Sequence, residues 1–140
     1  MSVIGFQQYM EQLKQLGADL DDSAQRVLSQ MNAKAMAETI KQTPVGKYPK
    51  GSGKVGGTLR KGWINGGTHK VGNGHESKYH NSVYYSLYVN NGHRIVSKKG
   101  ETTGWVDGIR MLEYGQNSAQ ESAQSIFNKE IQRVKKKGGW

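Results

Sequence analysis

Apolar residues recur at helical spacing near the start of the chain. A first helix is predicted between Ser2, which can cap an N-terminus, and Gly17, a frequent residue at helix C-termini. Its apolar positions follow one another at three- and four-residue steps: Val3, Phe6, Met10 and Leu13. The pattern indicates a short amphipathic helix.

A second helical pattern starts near Asp21, Asp22 or Ser23, whose side-chain oxygens can accept hydrogen bonds from the first N–H groups of a helix. We expect this helix to end at Thr43, because Pro44 disfavours helical backbone at the residue before it. Its apolar face consists of Ala24, Val27, Leu28, Met31, Ala35 and Ile40. This narrow, alanine-rich face suits close packing against another element.

A third and longer helix is predicted from about Gln116 to Lys137. Its apolar positions are Ala119, Ala123, Ile126, Phe127, Ile131 and Val134. Three consecutive lysines precede Gly138, and cations at that end complement the helix dipole. We expect the helix to end at the glycines that follow.

The two-residue period of a strand is clearest in "SVYYSLYVN", residues 82–90. Shorter strands separated by glycine turns are predicted in "TLRKGWING" and "THKVGNGHESKYH". After the first segment, Asn90-Asn91-Gly92 predicts a hairpin turn with positive φ at Asn91 and Gly92. His93 and Arg94 would then begin the returning strand and face solvent.

The order of these elements predicts an α+β fold in one domain, residues 1–140. An antiparallel sheet around residues 79–96 would be packed by N-terminal helices and a long C-terminal helix. We divide the domain into a helical part (1–42), a basic loop and sheet (43–103) and a C-terminal helix (104–140). Two extended basic loops are expected at 46–57 and 97–103.

The formal net charge of +9 is concentrated in the middle of the chain. Residues 39–100 hold eleven of the twenty Lys and Arg residues but a single carboxylate, Glu76. Such a charge distribution favours polyanions or acidic protein surfaces as partners. Because only 34% of the residues are hydrophobic, we expect part of the burial to be completed against other chains.

The chain has no cysteine, which excludes disulfides and thiol chemistry. No stretch approaches the ~20 apolar residues that a membrane-spanning helix needs. The first residues, "MSVIGFQQYM", lack the basic and apolar regions of an export signal. We therefore expect a soluble protein that is not exported.

Catalytic and cofactor motifs are weak. "GSGKVG", residues 51–56, matches G-x-G-x-x-G, but it has neither a strand before it nor an acid at the spacing that a dinucleotide site needs. The four histidines lack helical ligand spacing, and one carboxylate is too few for a hard cation. The same segment has no Asp to orient a histidine beside a nucleophile. We predict no enzyme activity, no metal site and no cofactor.

The basic segment is the most informative chemical feature. Its lysines and arginines alternate with tyrosines and Trp63, a composition that can neutralise phosphates. The alternative is contact with carboxylates of neighbouring subunits. No helix-turn-helix, zinc-finger or RNA-binding strand signature accompanies it. The candidate contacts to DNA or to an acidic partner are Lys47, Lys50, Lys54, Lys61, Lys98 and Lys99.

Three motifs occur in a defined order along the chain. They are "TPVGKYPKGSGKVGGTLRKGW" (43–63), "VYYSLYVNNGHR" (83–94) and "GWVDGIRMLEYG" (104–115). Together they resemble the head-tail joining or tail-completion proteins of long-tailed bacteriophages, also called neck or minor tail components. The chain departs from the family's pattern at two places. The link at 46–55 is longer, and Asn90 and Asn91 replace an acidic residue. The longer link suggests an extra loop that reaches a partner, and the second departure leaves a family salt bridge in doubt.

The resemblance implies a structural virion subunit, without catalysis, assembled in the host cytoplasm. It implies a homo-oligomeric ring, usually sixfold, between the head connector or stopper and the tail tube or tail terminator. Proximity to packaged DNA would be non-specific, and no membrane contact is expected. The candidate subunit contacts in or beside the matching segments are Arg60, Trp63, His93, Arg94 and Trp105. Trp63, Trp105 and Met111 are expected to be core or interface anchors.

Two rival functions stay open. A free, non-specific nucleic-acid-binding module would account for the basic segment. A metal-dependent nuclease would require activity that chelation and His93→Ala abolish, and we expect no such activity. Salt-dependent DNA binding distinguishes the first rival from the structural subunit.

Overall fold

The computed structural model describes residues 6–46, 51–53 and 56–139. The five helices of this part are α1 (Phe6–Gln15), α2 (Leu20–Gln42), α3 (Thr58–Lys61), α4 (Ser86–Asn91) and α5 (Met111–Lys137). The strands form two separate antiparallel pairs, β1 (Trp63–Val71) with β2 (Gly74–Asn81) and β3 (Gly92–Val96) with β4 (Thr102–Asp107). The predicted α+β class and the long C-terminal helix are confirmed.

Helices α2 and α5 lie antiparallel along each other and form the main core. Their buried side chains are Val27, Met31, Ala35, Ala119, Ala123, Ile126 and Phe127. Helix α1 covers one end of this core, where the Tyr9 ring stacks on Phe127 with a centroid distance of 4.4 Å. The apolar period read from the sequence therefore identifies the faces that pack.

Close packing of the two long helices depends on Gly115 in the first third of α5. A Cβ at this position would overlap the Thr39 hydroxyl and approach the Ala35 carbonyl oxygen to 2.5 Å. Thr39 itself is fully buried, and its hydroxyl lies 3.0 Å from that of Tyr79. The backbones of α2 and α5 can therefore approach only because this residue has no side chain.

The β1–β2 hairpin lies along α2. Asn32, buried on α2, donates through Nδ2 to Asn65 Oδ1 at 2.8 Å and to the Lys78 carbonyl at 3.2 Å. The register shifts between Asn65 and Gly67, where a bulge interrupts the ladder. Near the hairpin turn, Lys70 Nζ lies 3.1 Å from Asp21 Oδ2 at the start of α2.

A second core cluster lies where α2 ends and α5 begins. Leu59, Trp63 and Met111 are its buried members. Side chains from α2, from α4 and the turn before it, and from α5 surround them: Met36, Ile40, Val83, Tyr85, Val89 and Leu112. Tyr79 packs against both clusters and joins them.

The predicted strand at 82–90 is wrong. A turn occupies 83–85, and Ser86–Asn91 forms helix α4. The predicted hairpin turn is also wrong, because Asn91 ends α4 and only Gly92 has positive φ, +84°. The observed hairpin instead turns through 97–101, where Ser97 N–H donates to the Glu101 carbonyl at 2.8 Å. A continuous sheet over 79–96 therefore does not form.

Other element boundaries also differ from those predicted. The "TLRK" segment, predicted as extended, is the four-residue helix α3. Helix α5 starts at Met111, five residues before the predicted start, and 102–107 is strand β4. Helix α2 begins at Leu20 after the cap residue Asp19 and has Thr43 as its C-cap, as the following proline predicts.

The two predicted basic loops have different outcomes. Part of 46–57, including Lys47, Lys50 and Lys54, lies outside the described residues. Residues 97–101 form the tight turn of a hairpin, and Thr102 and Thr103 belong to β4. Over the described ranges 6–46, 51–53 and 56–139, no helix combines the length and apolarity needed to cross a membrane.

Candidate functional site

Thr43, the C-cap of α2, is the centre of the second core cluster. Its buried hydroxyl donates to the Thr39 carbonyl at 2.6 Å and accepts from Trp63 Nε1 at 2.8 Å. The Met111 sulfur lies 3.5 Å from the same hydroxyl. Thr43 therefore joins the end of α2 to the start of β1 and the start of α5.

Arg60 binds the same residue from outside the core. Its Nε and Nη2 donate to the Thr43 carbonyl at 3.2 and 2.7 Å, so the guanidinium satisfies a carbonyl that the helix leaves unpaired. Helix α3 presents Arg60 here because Gly57, with φ of +94°, turns the chain into it. Arg60 is nevertheless exposed, and its predicted subunit contact stays a prediction.

Asn90 performs the corresponding role at the start of α5. The residue before that helix, Arg110, has left-handed backbone with φ of +59° and provides no side-chain cap. Instead, the buried Asn90 accepts from Leu112 N–H through Oδ1 at 2.9 Å and donates through Nδ2 to the Glu113 carboxylate. A residue of α4 therefore caps α5.

The three motifs that carry the family resemblance meet in space. Thr43 and Trp63 come from the first motif, Asn90 from the second, and Met111 and Leu112 from the third. Sequence reasoning missed Thr43 and Asn90 as organising residues, although Thr before Pro and an Asn-Asn-Gly run both favour caps and turns. Trp63 is 8% exposed, so its side chain is primarily a core residue here.

An apolar surface lies beside this junction, on α4, β3 and β4. A groove of about 700 Å³ has mainly apolar walls: Pro44, Tyr85, Tyr88, Val89, Val96, Val106 and Ile109, with His93, Arg94 and Asp107 as its polar members. Further exposed apolar side chains on or next to the same elements are Tyr84, Leu87, Ile95 and Trp105. We call this set the hairpin surface. Most of the hairpin surface was not identified from the sequence, although the tyrosine-rich run at 82–90 indicated an apolar surface there.

The predicted contacts His93, Arg94 and Trp105 all lie on β3 and β4. His93 pairs with Val106 and Arg94 with Trp105 across the two strands. All three are exposed, and the His93 ring lies 6.5 Å from that of Tyr88. The structure brings them to one hairpin, while Arg60 and Trp63 lie at the Thr43 junction. Their role in subunit contacts stays a prediction.

Exposed cations lie on the β3–β4 hairpin and on α3. Lys98 and Lys99 lie in the turn between β3 and β4, and Lys61 lies at the end of α3. Within the described ranges, none of Arg94, Lys98 and Lys99 forms an ion pair within 4.0 Å. The charge at the hairpin turn is therefore available to an anionic partner.

The chain matches one protein family over residues 6–92, described as "Bacteriophage HK97-gp10, putative tail-component". The chain belongs to this family. The match confirms the predicted resemblance to tail proteins of bacteriophages. Comparisons with curated proteins and with solved structures give no match.

The family match covers α1 to α4 and ends at the first residue of β3. It includes Thr43, Arg60, Trp63 and Asn90, which join the elements of this tail-component chain. The β3–β4 hairpin after Gly92 and the whole of α5 lie beyond the matched residues. The family match therefore does not cover the part of the hairpin surface that β3 and β4 contribute.

The histidines of the tail-component chain are dispersed. His75 Nε2 lies 3.6 Å from Asp21 Oδ1, and His69 Nε2 lies 2.9 Å from the Gly66 carbonyl oxygen. Across the ranges that the structure describes, no group of three or more His, Cys, Asp or Glu side chains could hold a metal ion. His75 therefore contacts α2 from β2, whereas His69 bonds within its own strand, β1.

Proposed function

We propose that this chain is a structural subunit of the neck of a long-tailed phage, where copies form a ring between the head connector and the tail tube. The observation that carries the proposal is the match to a phage tail-component family over residues 6–92. A tail component is part of the virion, and the head-tail junction is the finer location that we propose. We propose sixfold symmetry for this ring, because it would match the sixfold symmetry of the tail that it joins.

The partners in this proposal are protein surfaces. One face of the ring meets the connector or stopper, and the other meets the tail tube or tail terminator. The exposed apolar residues of α4, β3 and β4 support this role, because large exposed apolar patches mark interaction sites. We propose a single domain as the subunit and no catalytic activity.

The cationic residues have a supporting part in the proposal. Lys61, Lys98 and Lys99 would contact carboxylates of a neighbouring virion protein or the DNA passage, as would Lys47, Lys50 and Lys54, which lie outside the described residues. Lys98 and Lys99 are exposed in the hairpin turn, which suits either contact. A charge-reversed variant, Lys98→Glu with Lys99→Glu, separates the contribution of these cations to partner binding from the contribution of the apolar groove.

Removal of the gene from the phage genome tests the function. Electron microscopy should then show filled heads and separate tails, and a plasmid copy of the wild-type gene should restore joined particles. Infectious particles that form in normal yield without the protein would contradict the proposal.

The nucleic-acid-binding rival is tested with a short DNA duplex over a salt series. We expect weak binding at physiological ionic strength, since the structural role needs no tight DNA contact. Tight binding with a steep salt dependence, together with normal head-tail joining in the deletion strain, would instead support the rival.

A further inference from the structure

The β3–β4 hairpin has little support from the rest of the chain. Every residue of β3 and β4 is exposed except Gly92, which is buried, and Gly104, which is half-buried. A two-stranded hairpin alone is at best marginally stable in water, and it needs a further strand or an apolar cover. The β1–β2 hairpin has such a cover in α2, whereas the main element packed against β3 is the short helix α4.

The apolar area near this hairpin is large for a free subunit. Tyr84 is 89% exposed, Trp105 61% and Tyr88 55%. At about 150–250 Å² for each aromatic side chain, these three leave roughly 400 Å² open to solvent. The largest apolar patch of a typical monomer is about 300–600 Å², and a standard interface buries about 800 Å² on each partner. Leu87, Ile95, Val96 and Val106, each 42–60% exposed, add further apolar area, so the total approaches the area that one partner buries in a standard interface.

The charges limit how a second copy can cover this surface. Arg94, Lys98 and Lys99 lie on the hairpin and make no ion pair within the described residues. A two-fold contact of hairpin surface against hairpin surface would bring these cations of both copies together, which costs free energy in a desolvated contact. A head-to-tail contact places them against a different surface, and repeated head-to-tail contacts form a ring when the rotation between copies closes.

We propose that the hairpin surface is the subunit contact of the assembly and docks on a different surface of a second copy of this chain. The inference rests on the proposed ring and adds which surface forms it. Aromatic side chains of α4 and β4 provide the buried area, and the lysines of the turn lie at its margin. Docking also gives the β3–β4 hairpin the cover that it lacks in one copy.

Sedimentation velocity of the full chain at tens of micromolar tests the contact. The wild type should form oligomers larger than a dimer, whereas Tyr84→Ser with Leu87→Ser, and separately Trp105→Ser, should sediment as monomers. Circular dichroism should confirm unchanged helix content, because all three side chains are mostly exposed. Val71→Ser is the matched control: Val71 is 56% exposed on β1, and its loss should leave the oligomer unchanged.

Hydrogen exchange on the wild type gives a readout that needs no substitution. Amides of 92–96 and 102–107 should become protected as concentration rises and the oligomer forms. A wild type that stays monomeric, a dimer as the largest species, or variants that assemble like the wild type would each overturn the proposal. Protection of the hairpin only after another virion protein is added would also overturn it and would assign the surface to that partner.

The failure of this contact can be told apart from failure of the neck function. A monomeric wild type whose deletion still leaves heads and tails unjoined refutes the self-contact and leaves the neck role intact. An oligomeric wild type whose deletion leaves particles joined and infectious refutes the neck role and leaves the self-contact intact.

Discussion

The indole N–H of Trp63 donates a 2.8 Å hydrogen bond to the hydroxyl of Thr43, and both side chains are buried. The bond fixes the start of β1 to the end of α2 across twenty residues of chain. The same hydroxyl donates to the Thr39 carbonyl, so its hydrogen and one of its lone pairs are both used.

Thr43→Val should destabilise the protein by about 1–3 kcal/mol, because the valine keeps the volume but leaves the Trp63 N–H buried without an acceptor. Urea unfolding followed by circular dichroism measures the free energy of unfolding. Trp63→Phe and the double variant complete a cycle, in which we expect a coupling of about 1 kcal/mol. Thr102→Val, an exposed threonine on β4, is the control and should change stability little. Additive single effects would mean that the bond contributes nothing.

Arg60→Ala should lower stability by about 1 kcal/mol, since two N–H groups that bind the Thr43 carbonyl are lost while the site stays open to water. Arg60→Lys should recover only part of this loss, because one ammonium cannot reproduce the fork of the guanidinium. Thermal unfolding provides the comparison, with Lys61→Ala on the same short helix as control. If Arg60 also makes a subunit contact, assembly should fall at temperatures where both variants are fully folded.

Gly115→Ala should destabilise the protein by about 3 kcal/mol or more, as expected when a side chain is forced into a packed contact. On helix propensity alone the change would stabilise α5 by about 1 kcal/mol, so the sign of the measured effect is decisive. The new methyl group would meet Thr39, the Ala35 carbonyl and Tyr79. Gly74→Ala is the matched control, since a Cβ there meets only the Val71 carbonyl oxygen at 3.8 Å. A stabilised Gly115→Ala variant would contradict the close approach of α2 and α5.

Asp22 should make stability depend on pH in acid. Its hydrogen bond from Arg26, aided by the charges of Arg26, Arg133 and Lys137, lowers the pKa of its carboxyl below the ordinary 3.8 despite some opposing desolvation. Because the folded pKa is the lower one, the stabilisation is complete above the unfolded value and is lost as pH falls through the folded value. Asp22→Asn should therefore show a smaller loss of stability below about pH 4. An NMR titration of the Asp22 carboxyl that shows no lowered pKa would contradict this prediction.

The long helices could be predicted from the sequence because their apolar period extends over many turns. Val27, Met31 and Ala35 on α2, and Ala119 and Phe127 on α5, are buried where the period places them. The C-terminus of α2 was also readable, since Pro44 constrains the residue before it. Local chemistry was sufficient at these positions.

The segment at 82–90 could not be predicted correctly from its pattern. Helix α4 has six residues, too few to show a helical period, and its alternating apolar residues imitate a strand. Its conformation depends on distant partners: Asn90 caps α5, and a Cβ at Gly108 would collide with the backbone of Asn90 and Asn91. Tertiary contacts therefore decide a segment whose local preference is extended.

The same limit applies to the candidate contacts. Sequence reasoning selected Arg60 and Trp63 for their place in a motif, and the structure reveals their bonds to Thr43, which lies at the other end of that motif. It also selected Arg94 and Trp105, which lie opposite each other on exposed strands. The groove beside them is formed by three separate elements, and its shape is not encoded in any one segment.

Cryo-electron microscopy of the intact virion at the head-tail junction tests the central claim most directly. We predict a ring of copies of this chain between connector and tail tube, with the α4 and β3–β4 surface of each copy buried against its neighbour. Absence of the chain from the junction, or copies there whose Tyr84 and Trp105 face solvent, would contradict the account.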